Sequence, residues 1–263
     1  MIDGAVTVGF LHPGHWQACF GNSLLDLMFY DASHNQRIVS HGYGQMGKET
    51  GASHIHAGRN KIAKTVLDES ESEWLFMIDA DMGFAADTVD RLIASADPVE
   101  RPVVGGLAFA QKSDGKGDLF AIRYRTCPTL YRMAETDDEI GFVPMFDYPR
   151  DALVEVDATG AACLLVHRSA LETLRDVHGD RWFNGLEVPK GSAGSTTFGE
   201  DMSFCLRLKA AGIPLYVDTG VKTTHDKGGV YYDEETFDLQ QAFMQMTAAA
   251  EFAPYERAAR NVE

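Results

Sequence analysis

Two aspartates one residue apart, Asp79 and Asp81, close the segment Phe76-Met77-Ile78-Asp79-Ala80-Asp81-Met82-Gly83, directly after the apolar run Trp74–Ile78. Side chains at i and i+2 of an extended strand share a face, so the pair is expected to project together from the carboxyl edge of a sheet, where open α/β folds bind ligands. Two neighbouring carboxylates repel unless a proton or cation relieves them. Oxygen donors of this kind suit Mg²⁺ or Mn²⁺, ions that also bridge to substrate phosphates. The competing structural role is to end the strand or to cap a helix beginning near Ala85.

Two further polar groups stand downstream. Phe198-Gly199-Glu200-Asp201-Met202 places Glu-Asp at the start of a helix after a glycine-rich stretch. Acidic residues stabilise the first turn of any helix, so the segment alone is ambiguous. Lys222-Thr223-Thr224-His225-Asp226-Lys227 follows a short strand, and His225 alone reads more readily as a surface or capping histidine than as a metal ligand. Trp182 and Phe183 precede the glycine-rich stretch. They either stack on a sugar or a base, as an acceptor contact, or anchor the loop.

The elements that must position these groups alternate between strand and helix, the pattern of a layered α/β domain. Strands are expected over 5–11, 74–78, 103–110, 153–166 (bent at Thr159-Gly160) and 215–217. Helices are expected from about 57 to 67, over 86–96, 167–177 and 201–211, and as a long amphipathic extension over 233–261 broken near Pro254. Residues 14–58 show little periodicity beyond an apolar island at 24–30, and 111–117 and 185–199 read as mobile loops. The expected organisation is a single catalytic domain over 1–263, with 233–263 as a C-terminal helical extension.

Charge and composition narrow the function classes. Against 23 Lys+Arg stand 39 Asp+Glu, a formal net charge of −16. Such a field repels polyanions at long range and disfavours non-specific binding to duplex DNA or anionic membrane. A phosphate-bearing ligand then needs a cation or a local basic patch. The densest positive stretch, Lys112, Lys116, Arg123, Arg125 and Arg132, reads as solvated surface. The four cysteines, Cys19, Cys127, Cys163 and Cys205, lack CxxC spacing, so buried free thiols and a reducing cytoplasm are expected. The first residues lack the pattern of a signal peptide, and no apolar run approaches the roughly 20 residues of a membrane span.

In combination, FMIDAD, then GEDMSFCLRLKAAG, then a strand ending in His225 resembles the GT-A-fold glycosyltransferases that use nucleotide sugars, most nearly family 2 and related phage-encoded enzymes. The resemblance extends to the strand at 5–11 and to Gly58-Arg59-Asn60-Lys61-Ile62, and spans roughly 5–230. It implies an α/β fold of GT-A type, an open mixed sheet flanked by helices. It also implies transfer from a nucleoside-diphosphate sugar, UDP being the commonest, to an acceptor hydroxyl. By the same resemblance Asp81 and His225 would hold Mn²⁺ or Mg²⁺, with Asp79 on the ribose or a metal-bound water. Arg59 would face the nucleotide, with His12 and Pro13 bordering the base. Ala80, Gly106 and Gly160 would approach the donor sugar. Asp201 would be the general base of an inverting reaction, with Glu200 beside it. Relatives from phage raise a hydroxylated base in DNA as acceptor, alongside glycans and small molecules.

Rival readings remain open at this level. A haloacid-dehalogenase-like phosphatase also uses Asp-x-Asp after a strand, but wants Thr or Val where Gly83 stands. A nucleotidyltransferase wants a glycine-rich basic loop after the first strand, where this chain has His12-Pro13-Gly14-His15. A sugar- or protein-binding module that has lost catalysis is the third.

Overall fold

The computed structural model describes residues 4–12, 14–45, 55–113, 124–135, 140–189 and 194–246. In chain order, β1 (Val6–His12), α1 (Ala18–Ser33), β2 (Ile38–Gln45) and α2 (Ile55–Glu69) lead to β3 (Trp74–Ile78), β4 (Met82–Phe84), α3 (Thr88–Ser95) and β5 (Val103–Leu107). β6 (Phe109–Ser113) pairs antiparallel with β7 (Tyr124–Pro128), and β8 (Tyr131–Glu135) with β9 (Ile140–Pro144). Then come β10 (Leu153–Glu155), β11 (Cys163–His167), α4 (Arg168–His178), the antiparallel pair β12 (Leu186–Pro189) and β13 (Ser195–Phe198), α5 (Glu200–Ala210), β14 (Leu215–Asp226) and β15 (Tyr231–Tyr232). A last helix, α6, covers 234–246.

The central sheet runs β10-β14-β5-β11-β3-β1-β2, with β4 and β15 also paired to β14. β1 lies parallel to β2 and β3, β14 parallel to β5, and β11 antiparallel to both β3 and β5. It is therefore a mixed sheet with helices on both faces. Every residue of β3 is buried, as expected of a strand covered on both sides. Its period-two alternation divides the core. Leu75 and Met77 join Leu11, Ile62, Leu164, Leu171 and Phe204 on one face. Trp74, Phe76 and Ile78 join Val8, Phe20, Leu27, Leu92 and Leu165 on the other.

α2 lies unusually close to β1. A Cβ at Gly9 would come within 2.6 Å of the Ile62 side chain, and one at Gly58 within 2.7 Å of Leu11. A larger residue at either position requires the facing side chain or the helix to shift. This close approach brings Arg59, the next residue, over the carboxyl end of β1 and β3. At the other end of the chain α6 docks through Phe237, whose ring lies 5.6 Å from Phe109. Glu234 and Asp238 of the same helix both pair with Arg150.

Several sequence expectations change. The apolar island at 24–30 is the middle of a full helix, α1. The strand expected over 103–110 breaks at Ala108 into β5 and β6. The loop expected over 185–199 contains β12 and β13. β14 runs on through Asp226, so Lys222 to Asp226 lie within a strand and not after one. The expected helix over 233–261 is described only to residue 246, and Pro254 lies outside the described residues, as do Lys116 and Arg123. All four cysteines are free. Among the described residues no helix is long and apolar enough to cross a membrane.

Candidate active site

The site assembles at the carboxyl edge of β1 and β3. β3 ends at Ile78, and the Asp79 N–H donates to the Ala162 carbonyl at 3.0 Å. The chain turns through Ala80 and Asp81, closed by Met82 N–H donating to Asp79 O at 3.1 Å. It re-enters the sheet as β4, antiparallel to β14 in a register that sets Met82 opposite His225. The Asp226 N–H then donates to the Asp81 carbonyl at 2.8 Å. That register, and not proximity in sequence, delivers His225 to Asp81. Neither Asp79 nor Asp81 caps a helix, since α3 starts at Thr88.

His225 Nδ1 is 2.9 Å from the Phe109 carbonyl. A carbonyl only accepts, so Nδ1 carries a proton, and Nε2 presents a lone pair whenever the ring is neutral. That Nε2 is buried without a hydrogen-bond partner, 3.3 Å from Asp81 Oδ2. An imidazole lone pair and a carboxylate oxygen facing each other at this distance form a donor pair for a cation. A ring N–H anchored on a backbone carbonyl is the usual outer support of a metal-ligating histidine. The residues therefore fit a divalent ion with mixed nitrogen and oxygen ligation. Burial works against ionisation of Asp81, yet the Lys227 ammonium and, when its ring is protonated, His225 hold its carboxyl down to about 2.

Asp79 points elsewhere. Its Oδ1 accepts from Arg59 Nη2 at 2.9 Å, while Arg59 Nη1 donates to Asp201 Oδ1 at 2.7 Å. The guanidinium is 4% exposed and lies over the Phe183 ring at 5.8 Å, so it is fixed as a bridge between the two aspartates. Burial lifts both carboxyls above the ordinary range, and the shared Arg59 pulls each back. Glu200, also in the first turn of α5, adds to the lift on Asp201, and the Ala161 backbone N–H opposes it. Among the described residues no three His, Cys, Asp or Glu side chains form a metal cluster. Asp79 is held by Arg59, apart from the Asp81–His225 pair.

A cleft of about 250 Å³ opens beside these groups, lined by Arg59, Asp79 and Asp81 but not by His225 or Asp201. His15, Gln17, Arg59, Asp79, Asp81 and Lys227 supply its polar side, and Leu11, Trp16, Ile55 and Ala80 an apolar wall. Gly160 sits against Asp201, where an added Cβ would lie 3.7 Å from Oδ2. His12 closes β1, where its Nδ1 accepts from the Gly14 N–H at 3.2 Å. Its ring packs edge-on to Trp16 at 5.7 Å. Pro13 lies outside the described residues.

Two expected contacts fail. Trp182 is 0% exposed and donates its Nε1–H to the Leu171 carbonyl at 2.8 Å. It is core and cannot touch an acceptor. Gly106 packs internally: a Cβ there would meet Cys163 Sγ at 2.8 Å and the Val221 carbonyl at 3.1 Å, so its closeness serves the sheet and not a ligand. Conversely, Trp16 and Lys227 were not singled out from sequence. The available signal for Trp16 was a large aromatic directly after the first strand, and it is 50% exposed.

No protein-family model matches the chain, and no curated protein sequence matches it. Solved structures do. The protein A197 from STIV aligns at a TM-score of 0.53 and 13% identity, covering 88% of this chain and 91% of that one. GalNAc-T7, solved with UDP, GalNAc and Mn²⁺, aligns at a TM-score of 0.50 and 12% identity over 86% of this chain. The chain has the GT-A glycosyltransferase fold. It spans 44% of the GalNAc-T7 chain, and at such identity the likeness is one of architecture.

Proposed function

We propose that this protein is a divalent-cation-dependent glycosyltransferase that moves a sugar from a nucleoside-diphosphate sugar, UDP favoured, to an acceptor hydroxyl with inversion. The observation that carries the reading is the buried Nε2 of His225, without a hydrogen-bond partner, facing Asp81 at 3.3 Å, Asp81 itself lining a cleft with Arg59. The Mn²⁺ and UDP in the GalNAc-T7 structure belong to that protein and support the same choice here.

In this reading Asp81 and His225 hold Mn²⁺ or Mg²⁺, which would stabilise negative charge gathering on the departing diphosphate. Trp16, exposed at the apolar wall, offers its face to the nucleobase, with His12 edge-on behind it. Asp201 accepts the proton of the acceptor hydroxyl as the oxygen bonds to the anomeric carbon. The anomeric carbon–oxygen bond to the diphosphate breaks, and its electron pair leaves with the nucleoside diphosphate. A single displacement of this kind inverts the anomeric centre. Arg59 holds Asp201 in place and opposes the lift that burial gives its carboxyl. The net charge of −16 favours an uncharged hydroxyl acceptor over a duplex polyanion. The phosphatase alternative wants Thr or Val two residues beyond the second aspartate, where this chain has Gly83.

The test is nucleoside-diphosphate release from a panel of UDP- and GDP-sugars. Release is expected with Mn²⁺ or Mg²⁺ and should be abolished by EDTA; turnover that survives EDTA removes the metal from the reading. Trp16→Ala is expected to raise KM for the donor about tenfold with kcat retained, since stacking on one base is worth roughly 1–3 kcal/mol. An unchanged KM would place the base elsewhere.

A further inference from the structure

Lys227 is outside the ligand set assigned above, yet it lines the same cleft. Its Nζ donates to Asp81 Oδ2 at 2.7 Å, the same oxygen that faces His225 Nε2 at 3.3 Å. An ammonium and a divalent cation cannot both sit on this one oxygen without strong mutual repulsion. One of them must give way.

The backbone at Lys227 is held. Its N–H donates to the Val230 carbonyl at 2.9 Å. Gly228 and Gly229 take φ of +70° and +90°, which closes the tight β14–β15 turn, and the Gly229 N–H donates to Asp226 Oδ1 at 2.7 Å. The movable part is the four-carbon arm, whose side chain is 44% exposed. Arg59, by contrast, is buried and committed to two carboxylates. Of these two cations in the cleft, Lys227 is the one able to change partner.

We propose that Lys227 is an exchangeable counter-ion. It neutralises Asp81 in the free protein and passes to the donor diphosphate when a divalent cation takes Asp81 and His225. Cation and nucleotide diphosphate therefore bind as a pair, and neither binds well alone. The inference rests on the glycosyl-transfer reading and adds to it a residue and an order of events. It also answers how a strongly acidic protein keeps its cation site neutral between turnovers.

The experiment compares wild type with Lys227→Met and Lys227→Arg. Mn²⁺ binding alone is followed by the electron paramagnetic resonance of free Mn²⁺. Binding of UDP and of GDP in saturating Mn²⁺ is followed by calorimetry. Lys227→Met is expected to bind Mn²⁺ alone about tenfold more tightly and the preferred nucleotide about tenfold more weakly. Lys227→Arg should restore both values towards wild type. The opposite signs are diagnostic, because a lysine that merely stabilises the turn would weaken both. Changes of the same sign, or no change, overturn the inference and leave the functional reading standing. A wild type that binds neither Mn²⁺ nor either nucleotide overturns both.

Discussion

Asp201→Asn is expected to lower sugar transfer by about 10²–10⁴-fold, the usual contribution of a positioned general base, while donor binding stays at the wild-type level. The amide keeps the shape of the carboxylate, and its oxygen still accepts from Arg59 Nη1, so the bridge to Asp79 survives. Only the capacity to take a proton is lost. The loss should fall on kcat, with KM for the donor unchanged. The pH profile supplies a second readout. Burial lifts the Asp201 carboxyl above the ordinary range although Arg59 opposes it. The wild-type rate should therefore rise with pH along an acid limb above that range, and the variant should lack this limb. If Asp201→Asn keeps wild-type rates, the base is another group, and Glu200 in the same helical turn becomes the first candidate.

Arg59→Met is expected to cost about 3 kcal/mol of stability near neutral pH, the scale on which breaking a buried ion pair leaves uncompensated charge. The side chains of Asp79 and Asp201 keep 33% and 29% exposure, and solvent screening places the loss at the lower end of that scale. The sign of its pH dependence follows from linkage. Burial already holds both carboxyls above their unfolded values, and removing the guanidinium raises them further. Groups whose folded pKa is raised favour the fold at low pH and progressively cost stability as pH rises towards the folded value. The defect should be smallest near pH 4 and grow towards neutrality, read as the difference in melting temperature between variant and wild type across that window. Transfer should fail as well, since the acid limb of any residual activity moves to higher pH. A defect that is flat with pH would mean that Arg59 contributes packing against Phe183 and not charge.

What could be read in advance was local. Trp74–Ile78 announced a strand buried on both faces because its apolar run is continuous, and Asp79 and Asp81 announced a polar edge because they end it. Glu200 and Asp201 announced the start of α5. α1 was obscured for a physical reason. Phe20 and Leu27 face the core, but Leu25 and Phe29 on the same helix are exposed, so its apolar residues surround the axis and leave no stripe. β12 and β13 were obscured because Gly, Ser and Pro dominate the segment and their pairing is with each other, away from the central sheet. Trp182 shows the opposite failure. Its type suggested a ligand platform, but an aromatic next to a loop is equally a core anchor, and only the neighbours covering it from α4 and α5 decide.

By itself the sequence determined the layered α/β class, the carboxylates at a strand exit and at a helix start, and an acidic surface that obliges any phosphate ligand to bring or find a cation. Those follow from spacing over a few residues, where backbone geometry dictates which way side chains point. Only the tertiary structure decided that His225 meets Asp81, that Arg59 joins Asp79 to Asp201, and that Lys227 pairs with the same Asp81 oxygen that faces His225. Each of these contacts is made across a strand register or a helix-on-sheet approach between segments distant in the chain, and no local pattern of residues encodes which distant partner a side chain will face.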